Sequence, residues 1–540
     1  MTFSNGLVIT VALLALGSLS IILRMIYNVV FHPLAHIPGP FWARASGIPS
    51  WYYAKTGNRH IWLNDQFQTY GYRIRPEPNT VLFRDADAYK DIYGIKSNVR
   101  RSQFYEALRS DDHENTLTCI DVLQHAHKRK MLSLCFTDKS LNAACGFIVE
   151  HLDRWLDIIS ENISGASWSN PIDFTDSVDA LLFDIMGDLC FGRTFGIKEP
   201  GENPLKVIPH LIAEYMLFYY PLCRSPFLPA LVWLKPYGLD KLMDAISPPP
   251  IKQYNKFVYD SVTQRIALQK EQQEVAELDR RQDIFYFLCE ARDPDTNKLA
   301  YRERDLRSEA SLLIVAGTDT IAVSLSGILF YITSDLARCE KLAGEILATF
   351  DSVEDIVYGP KLTSCLYLRA CIDEGMRLTP SGPCELPREV LPGGLLVKGE
   401  YYPPRTIVGT VAWADSRNEE VYGDADSFRP ERWIVDESRG VTKEQVATLK
   451  YNFHPFSSGP GSCVGKNIAM AEMMMTVARM LYRFEVRRSP GSTVGCGHPD
   501  WGWGRRDKNQ FQLLDAYISL RKGPELQFRR RTTPTGPHSG

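Results

Sequence analysis

The sequence FSSGPGSCVG at residues 456–465 decides how the rest of the chain can be interpreted. It runs directly into the periodic segment KNIAMAE at residues 466–472, so a loop of small residues opens a predicted helix. Glycines let a backbone approach a large planar ligand, and a cysteine at the start of a helix has its thiolate stabilised by unpaired N–H groups. Cys463 is therefore a candidate metal ligand. The alternative is a buried structural cysteine in a Gly/Ser turn.

Length and composition narrow the class of protein. The chain has 540 residues, of which 44% are hydrophobic and 23% charged, as in an ordinary globular protein. The formal net charge of -3 argues against nucleic acid as a partner, because phosphate binding needs a concentrated positive field. The 12 cysteines are scattered without a Cys-x-x-Cys pair, which excludes a disulfide scaffold or a zinc ribbon and fits a reducing compartment.

The N-terminal segment is apolar enough to cross a membrane. No charged residue occurs from Thr2 to Leu23, and the apolar run continues past Arg24 to Phe31, which reaches the length of about 20 residues that a spanning helix needs. A cleaved signal peptide is the alternative, but a basic start and a small-residue cleavage motif are missing. We expect residues 1–31 to be a membrane anchor. The basic residues that follow it place the body of the protein in the cytosol.

Residues 32–45 are predicted to be a stiff hinge between the anchor and the body of the protein. They begin with HPLAHIPGP at residues 32–40. Because proline fixes φ and stops a helix from continuing, this proline-rich stretch is expected to be a stiff elbow.

Three further stretches combine polar residues with predicted helices or turns. GTDT at residues 317–320 lies inside a long apolar helix predicted from Leu306, where such residues compete for backbone hydrogen bonds. EGMR at residues 374–377 places an acid and a base on one helical face. FRPERW at residues 428–433 adds another arginine. Each stretch alone is more common as structure or solvated surface than as chemistry.

Together these stretches resemble motifs of the cytochrome P450 family. The loop is similar to that family's haem-binding motif, Phe-x-x-Gly-x-Arg-x-Cys-x-Gly, and matches it at Phe456, Gly459, Cys463 and Gly465. It departs from the motif at Gly461, where the family usually has arginine. The other stretches resemble further P450 motifs and occur in the family's order, so that the resemblance covers nearly the whole chain.

The resemblance implies a haem b cofactor with Cys463 as the axial ligand of its iron, and O2 as co-substrate. Ala316 and Gly317 would leave room for dioxygen. Thr320 would be the hydroxyl that guides protons during oxygen activation, and Asp319 the acid that links this hydroxyl to solvent. Ile321 is a mild departure, since the family commonly has Thr or Ser there.

The resemblance also assigns basic residues to the haem propionates. His125 and Arg129, spaced i, i+4 on one predicted helical face, resemble a propionate-binding pair, and Arg388 matches a second propionate-binding arginine. Because Gly461 removes the usual further basic contact, either these residues hold the propionates alone or haem is bound less tightly.

A buried ion-pair cluster is implied for the structural core. Glu374 and Arg377 match the family's Glu-x-x-Arg, and Arg432 matches the arginine that completes the pair. A buried pair is costly unless it is fully satisfied, so loss of one partner should collapse the core and the haem site together.

The implied fold class is mainly α with a small β region, the cytochrome P450 fold, preceded by one N-terminal transmembrane helix. The catalytic domain is predicted at residues 46–528 and a disordered tail at residues 529–540. Short strands are predicted within residues 70–85. A final strand is predicted at residues 517–521.

The implied function is that of a haem-thiolate monooxygenase, which inserts one oxygen atom from O2 into an apolar small molecule by hydroxylation, epoxidation or multistep oxidation. Since no flavin or nicotinamide fingerprint occurs, electrons should come from NADPH through a separate cytochrome P450 reductase. Lys128 and Lys130 are expected to face outward and to suit its docking. The protein is expected to be a monomer in the endoplasmic reticulum membrane, in contact with lipid, with a cytosolic catalytic domain.

The substrate is assigned by analogy alone. The hinge and His125 resemble microsomal fungal members that tailor secondary metabolites such as terpenoids, polyketides and alkaloids. Detoxification of foreign compounds is the alternative. A haem-thiolate isomerase or dehydratase is disfavoured because Asp319 and Thr320 are present, and a non-catalytic haem-binding sensor would need no reductase.

Overall fold

The fold is mainly α-helical with small sheets, as predicted. The computed structural model describes residues 2–109, 114–246, 248–272 and 280–531. The helices are α1 Thr2–Ile26, α2 Phe41–Ala45, α3 Ile48–Lys55, α4 Arg59–Tyr70, α5 Ala86–Tyr93, α6 Gln103–Ala107, α7 Val122–Ser133, α8 Asp138–Glu161, α9 Phe174–Phe191, α10 Ile208–Cys223, α11 Leu228–Leu234, α12 Leu239–Ile246, α13 Pro249–Gln272, α14 Ile284–Glu290, α15 Glu303–Ile332, α16 Leu336–Thr349, α17 Pro360–Thr363, α18 Leu366–Leu378, α19 Ala412–Asp415, α20 Glu419–Tyr422, α21 Lys443–Asn452 and α22 Lys466–Arg483.

The strands are short and lie at the edges of the helical body. They are β1 Arg73–Glu77, β2 Thr80–Phe83, β3 Val99–Arg101, β4 Ile172–Asp173, β5 Arg388–Val390, β6 Leu395–Val397, β7 Glu400–Tyr402, β8 Ile407–Thr410, β9 Phe484–Arg488, β10 Leu514–Ala516, β11 Ile518–Leu520 and β12 Glu525–Arg530. The strands predicted within residues 70–85 are confirmed as β1 and β2.

The strands form one larger sheet and several small ones. The larger sheet has the order β1-β2-β8-β5-β3, and a second sheet has the order β4-β12-β9. Strands β2 and β8 are parallel, while β3 and β5 are antiparallel. The register of β3 and β5 places Arg101 directly opposite Arg388.

Helix α15 is the centre of the helical body and packs against α9, α18 and α22. From Ile321 to Ile332 every residue is buried. A helix that is apolar on all its faces is stable only when protein or lipid surrounds it. In α15 that surrounding material is protein, because 67% of its most apolar window is buried inside the fold.

The apolar segment near the N-terminus has the opposite environment. The span Thr10–Phe31 is long and apolar enough to cross a membrane, and none of its window is buried by the rest of the protein. Its last residues, Tyr27–Phe31, form a π-helical turn that ends at His32, directly before Pro33. This arrangement is compatible with the predicted membrane anchor.

The predicted hinge ends earlier than its assigned range. Residues Phe41–Ala45 form α2, which begins directly after Pro40. Asn28 Nδ2 donates a hydrogen bond to Ala45 O at 2.9 Å. Residues 32–40, which contain the prolines, include no helix, and the helical turn is confined to the last five residues of the predicted hinge, where no proline stops it.

The predicted C-terminal boundary also differs from the structure. Arg529 and Arg530, assigned to a disordered tail, belong to β12 and pair with β9. The Arg529 guanidinium also contacts Glu485. Strand β11 is consequently not the final strand. The rest of the predicted tail, from residue 532, lies outside the described residues.

A buried ion cluster joins α4 and Glu385 to the C-terminal end of α10, the helix here called the roof because its residues Tyr215 and Met216 line a cavity. Arg59 of α4 donates two hydrogen bonds to Glu385, at 2.5 and 3.0 Å. Arg224, which caps α10, contacts the same carboxylate. Burial alone would raise the pKa of Glu385, but Arg224 and Arg59 outweigh burial and hold that pKa at about 2.

We expect Glu385→Gln to lower the free energy of unfolding by about 3–5 kcal/mol, because it leaves two buried guanidinium groups with only the more distant carboxylate of Glu77, 3.6 Å from Arg59 Nη2, as a counter-charge. The pKa of Glu385 is depressed in the folded state, so this contribution is present above its ordinary value of 4.5 and is lost as pH falls towards 2. Urea denaturation of parent and variant should show a constant difference from about pH 7.5 to 5.5 and a shrinking one below about pH 4.5.

The matched control is Glu389→Gln, four residues further along the chain. Glu389 pairs with Arg100, whose side chain is 35% exposed. Loss of such a pair should cost about 0–1 kcal/mol. Equal costs for the two variants would show that Glu385 does not hold the roof.

Candidate functional site

The loop at residues 456–465 is closed by its own backbone and by α5. Cys463 N donates to Phe456 O at 2.8 Å, and Gly459 begins a short 3-10 turn between them. Gly459 has φ +60°, and a Cβ there would lie 2.1 Å from Tyr93 O of α5. Only glycine fits this position, since the turn is left-handed and the neighbouring atom is backbone.

Cys463 precedes the first turn of α22 and faces the interior of the protein. Its side chain is exposed, and it lines two cavities of the protein. Burial raises the pKa of its thiol, while the N–H groups of Gly465 and Lys466 and the charge of Arg129 oppose this rise. These groups favour the thiolate, the form of cysteine that binds a metal.

Two cavities meet at Cys463. One has a volume of about 410 Å³ and is lined by Phe456, Gly465 and Gly317, among others. The other has a volume of about 350 Å³. Cys463, Ala316 and Thr320 line both of them. The cysteine loop and α15 therefore both contribute to the walls of these two cavities.

Two predicted site residues of α15, Thr320 and Gly317, have different contacts. Thr320 Oγ1 donates to Ala316 O at 2.8 Å, which leaves the hydroxyl lone pairs available to a molecule in the cavity. Gly317 lines the larger cavity, and a Cβ there would lie 2.5 Å from the Met186 side chain of α9. The close approach of α9 to α15 is thus a further reason for glycine at this position.

Asp319 lines neither cavity. The sequence predicted it to be the acid that links the Thr320 hydroxyl to solvent. It lies on the adjoining face of α15. Burial raises the pKa of its carboxyl to about 7, the nearby Asp179 adds to this rise, and Arg521 opposes it. The carboxyl can therefore gain and lose a proton near neutral pH.

A cluster of basic residues borders the same space. Arg129 Nη2 donates to Ser462 O at 3.2 Å. Arg388 Nη1 donates to Tyr105 Oη at 3.2 Å, and its Nη2 lies 2.8 Å from the position of a Cβ at Gly461. The Arg388 guanidinium thus lies where a side chain at position 461 would begin, which explains how glycine is accommodated in the loop.

His125 joins this cluster as a neutral ring. Burial lowers its pKa to about 3, and Arg101, Arg388 and Arg129 contribute in that order. Its Nε2 is buried without a hydrogen-bond partner among the described residues. This nitrogen can donate or accept a hydrogen bond, according to the tautomer of the ring.

Arg101 is the member of the cluster that the sequence did not reveal. It lies opposite Arg388 in the β3–β5 pair, and like charges at such positions repel each other. Burial and Arg388 lower its pKa to about 10. Within the described part of the chain, Arg101, Arg129 and Arg388 form no ion pair with a carboxylate. A cofactor that carries carboxylates and a thiolate-binding metal fits this arrangement, and haem has both.

Lys128 differs from its predicted outward orientation, whereas Lys130 agrees with it. The Lys128 side chain is only 18% exposed, and its Nζ lies 3.9 Å from Glu309 Oε1. Lys130 Nζ is 2.9 Å from Asp295 Oδ2. Lys128 is turned inward because a buried carboxylate attracts it, so its predicted outward orientation was wrong. The Lys130 side chain is 46% exposed and faces outward as predicted.

The predicted core cluster is brought together behind the site. Arg377 donates to Glu374 at 2.9 and 2.8 Å, and Arg432 Nε donates to it at 3.1 Å. Trp433 Nε1 and the backbone N–H of Arg429 complete the hydrogen bonds of Glu374. Every partner comes from α18 or from the segment at residues 428–433.

Comparisons with known proteins agree with this geometry. The cytochrome P450 family model matches residues 38–502. The chain is 31% identical over 515 residues to the cytochrome P450 monooxygenase fscF of Fusarium equiseti, with 94% of this chain and 93% of that protein covered. It is 31% identical over 508 residues to poxM of Penicillium oxalicum, with 94% and 92% covered. It is 32% identical over 450 residues to a cytochrome P450 monooxygenase of Gibberella zeae, with 82% and 97% covered.

A mainly helical fold with a cysteine loop and a long central helix lining the same cavities defines a haem-thiolate protein. The chain belongs to the cytochrome P450 family. The cofactor of that family is haem, with a cysteine thiolate as ligand to the iron.

Proposed function

We propose that this protein is a monooxygenase that inserts one oxygen atom from O2 into an apolar small molecule, with Cys463 as the sulfur ligand of the haem iron. The observation that carries the proposal is that Cys463 and Thr320, which come from different elements, line the same two cavities. A sensor would need the thiolate but not a hydroxyl in the same cavities.

Each residue of the site has a defined task in this proposal. When bound, haem supplies the iron-centred activation of O2. Arg101, Arg129 and Arg388 hold its carboxylates. Thr320 Oγ1 accepts a hydrogen bond from a proton donor in the cavity and so orients that donor. Asp319 stores a proton near neutral pH on the adjoining face of α15 and exchanges it with solvent.

The finer parts of the proposal concern partners and location. Electrons come from NADPH through a separate reductase, since the sequence has no flavin or nicotinamide fingerprint. The exposed apolar span Thr10–Phe31 supports an anchor in the endoplasmic reticulum membrane, with the catalytic domain in the cytosol. The enzyme acts as a monomer.

The substrate class rests on the relatives. They are monooxygenases of fungi at 31–32% identity, which supports oxidation of a secondary metabolite such as a terpenoid, polyketide or alkaloid. Detoxification of foreign compounds is the second candidate. Co-expression with a fungal reductase in a metabolite-producing host, followed by metabolite profiling, tests the choice between them.

We expect Thr320→Val to reduce product formation by about 10²-fold while NADPH consumption continues, because removing the hydroxyl removes the group that orients the proton donor. The measurement is the ratio of product formed to NADPH oxidised with reductase present. Hydrogen peroxide should account for the missing product.

The matched control is Thr318→Val on the same helix. Thr318 Oγ1 is buried and has no hydrogen-bond partner among the described residues, and Thr318 lines neither cavity. This variant should keep the parent ratio. A parent protein that oxidises no NADPH with any apolar compound would instead favour the haem-binding sensor.

A further inference from the structure

Thr116 lies in the wall of the smaller cavity and is held from two directions. Its backbone N–H and its hydroxyl donate to Glu309 Oε1 of α15, at 2.8 and 2.9 Å. Its carbonyl accepts a hydrogen bond from Arg101 Nη1 at 2.6 Å. The N–H, hydroxyl and carbonyl groups of Thr116 thus connect α15 to the cluster of basic residues that contains Arg101.

The surrounding loop forms a substantial part of the cavity surface. Asn115, Thr116, Leu117 and Thr118 all line the cavity of about 350 Å³. Asn115 Oδ1 accepts from the N–H groups of Leu117 and Thr118, so the loop is internally stiff. The hydrogen bonds between this loop and the rest of the protein therefore determine the position of this part of the cavity wall.

Burial of the Glu309 carboxylate, which holds Thr116, has a high free-energy cost. Glu309 is fully buried, its Oε2 has no hydrogen-bond partner among the described residues, and its nearest cation is Lys128 at 3.9 Å. A carboxylate taken out of water with incomplete hydrogen bonding costs several kcal/mol. An apolar side chain would pack at this position without that cost. The benefit of a carboxylate must therefore lie in its two hydrogen bonds to Thr116.

We propose that Glu309 is a positioning residue that fixes Thr116 in the substrate-cavity wall and, through Thr116, aims Arg101 at the haem carboxylates. Arg101 is opposed by Arg388 across the strand pair, and the Thr116 carbonyl is the acceptor that holds its guanidinium in place. The wall that contacts substrate and the cations that hold the cofactor are consequently one connected unit. The inference rests on the proposed roles of the two cavities.

The test uses the haem-loaded, full-length protein and three variants. Glu309→Leu removes both hydrogen bonds to Thr116, Thr116→Val removes only the hydroxyl bond, and Glu309→Gln keeps an acceptor without the charge. The matched control is Glu303→Gln on the same helix, where the side chain is 54% exposed and paired with Arg307.

The first readout is hydrogen exchange of the peptide that contains the Thr116 amide. We expect exchange at that amide to be at least 10-fold faster in Glu309→Leu and close to the parent rate in Thr116→Val and Glu303→Gln. This readout needs neither substrate nor reductase, so its failure is distinguishable from failure of the proposed function.

The second readout compares two iron-binding probes and the release of haem. Imidazole is too small to contact the loop, whereas clotrimazole must contact it. The Kd of clotrimazole should rise about 10-fold in Glu309→Leu and about 3-fold in Thr116→Val, with the Kd of imidazole unchanged. Transfer of haem to apomyoglobin should accelerate in the same order.

Unchanged amide exchange in Glu309→Leu, or parallel changes in the Kd of both probes, would overturn the proposal. If Glu309→Leu does not fold, Thr116→Val decides: a parent-like clotrimazole Kd and parent-like haem release in that variant reject the linkage.

Discussion

Replacement of Cys463 by serine should abolish the strongly red-shifted Soret band of the reduced carbon monoxide complex. A hydroxyl cannot donate electron density to iron as a thiolate does, and Cys463 is the cysteine that lines both cavities with Thr320. Product formation should fall below detection. Difference spectra of membranes that contain the parent or the variant provide the measurement.

The control for this experiment is Cys145→Ser in α8, which changes a half-buried thiol away from both cavities. The control should keep the red-shifted band in full. Persistence of the band in Cys463→Ser would show that another residue ligates the iron. A parent that binds haem without the band would also refute ligation through Cys463 and would support a non-catalytic haem-binding role.

Replacement of Glu374 by glutamine should be the most damaging change in the structural core. Burial favours the neutral carboxyl, but Arg377 and Arg432 outweigh burial and keep the pKa of Glu374 below its ordinary value. Removing the charge leaves both arginines buried without a counter-ion. We expect the free energy of unfolding to fall by about 3–5 kcal/mol. Urea denaturation and the haem content of purified protein measure the two consequences.

The comparison variant is Glu431→Gln, which removes another carboxylate from the same segment. Glu431 pairs with Lys341, and its side chain is 34% exposed. That loss should cost about 0–1 kcal/mol and leave the haem content unchanged. If Glu374→Gln retained parent-like stability and haem, the cluster would not be needed to hold the site.

The sequence predicted those parts of the site that depend on neighbours along the chain. The loop around Cys463, the GTDT stretch at residues 317–320 and the acid–base spacing of Glu374 and Arg377 are local patterns. Each of them can be recognised from residues that are close together in the sequence, wherever its helix or turn lies in the fold. For the same reason, the fold class could be predicted from the order of these patterns.

What the sequence did not reveal depends on contacts between distant segments. Arg101 became part of the site only through the register of β3 against β5, which no local pattern encodes. Lys128 was expected at the surface, but Glu309 of another helix draws it inward. Asp319 was expected to link Thr320 to solvent, and its burial beside Asp179 and Arg521 depends on segments far away in the sequence.

The pairing of Arg101 with Arg388 also has a consequence for biogenesis. Two cations held in register across an antiparallel pair make the edge of the larger sheet self-repelling until an anion arrives between them. We expect strand β3 to be among the last elements to dock, after the cofactor has been delivered. Newly made chains would then keep this strand edge undocked until haem binds, and they should be cleaved by proteases faster than the haem-loaded protein.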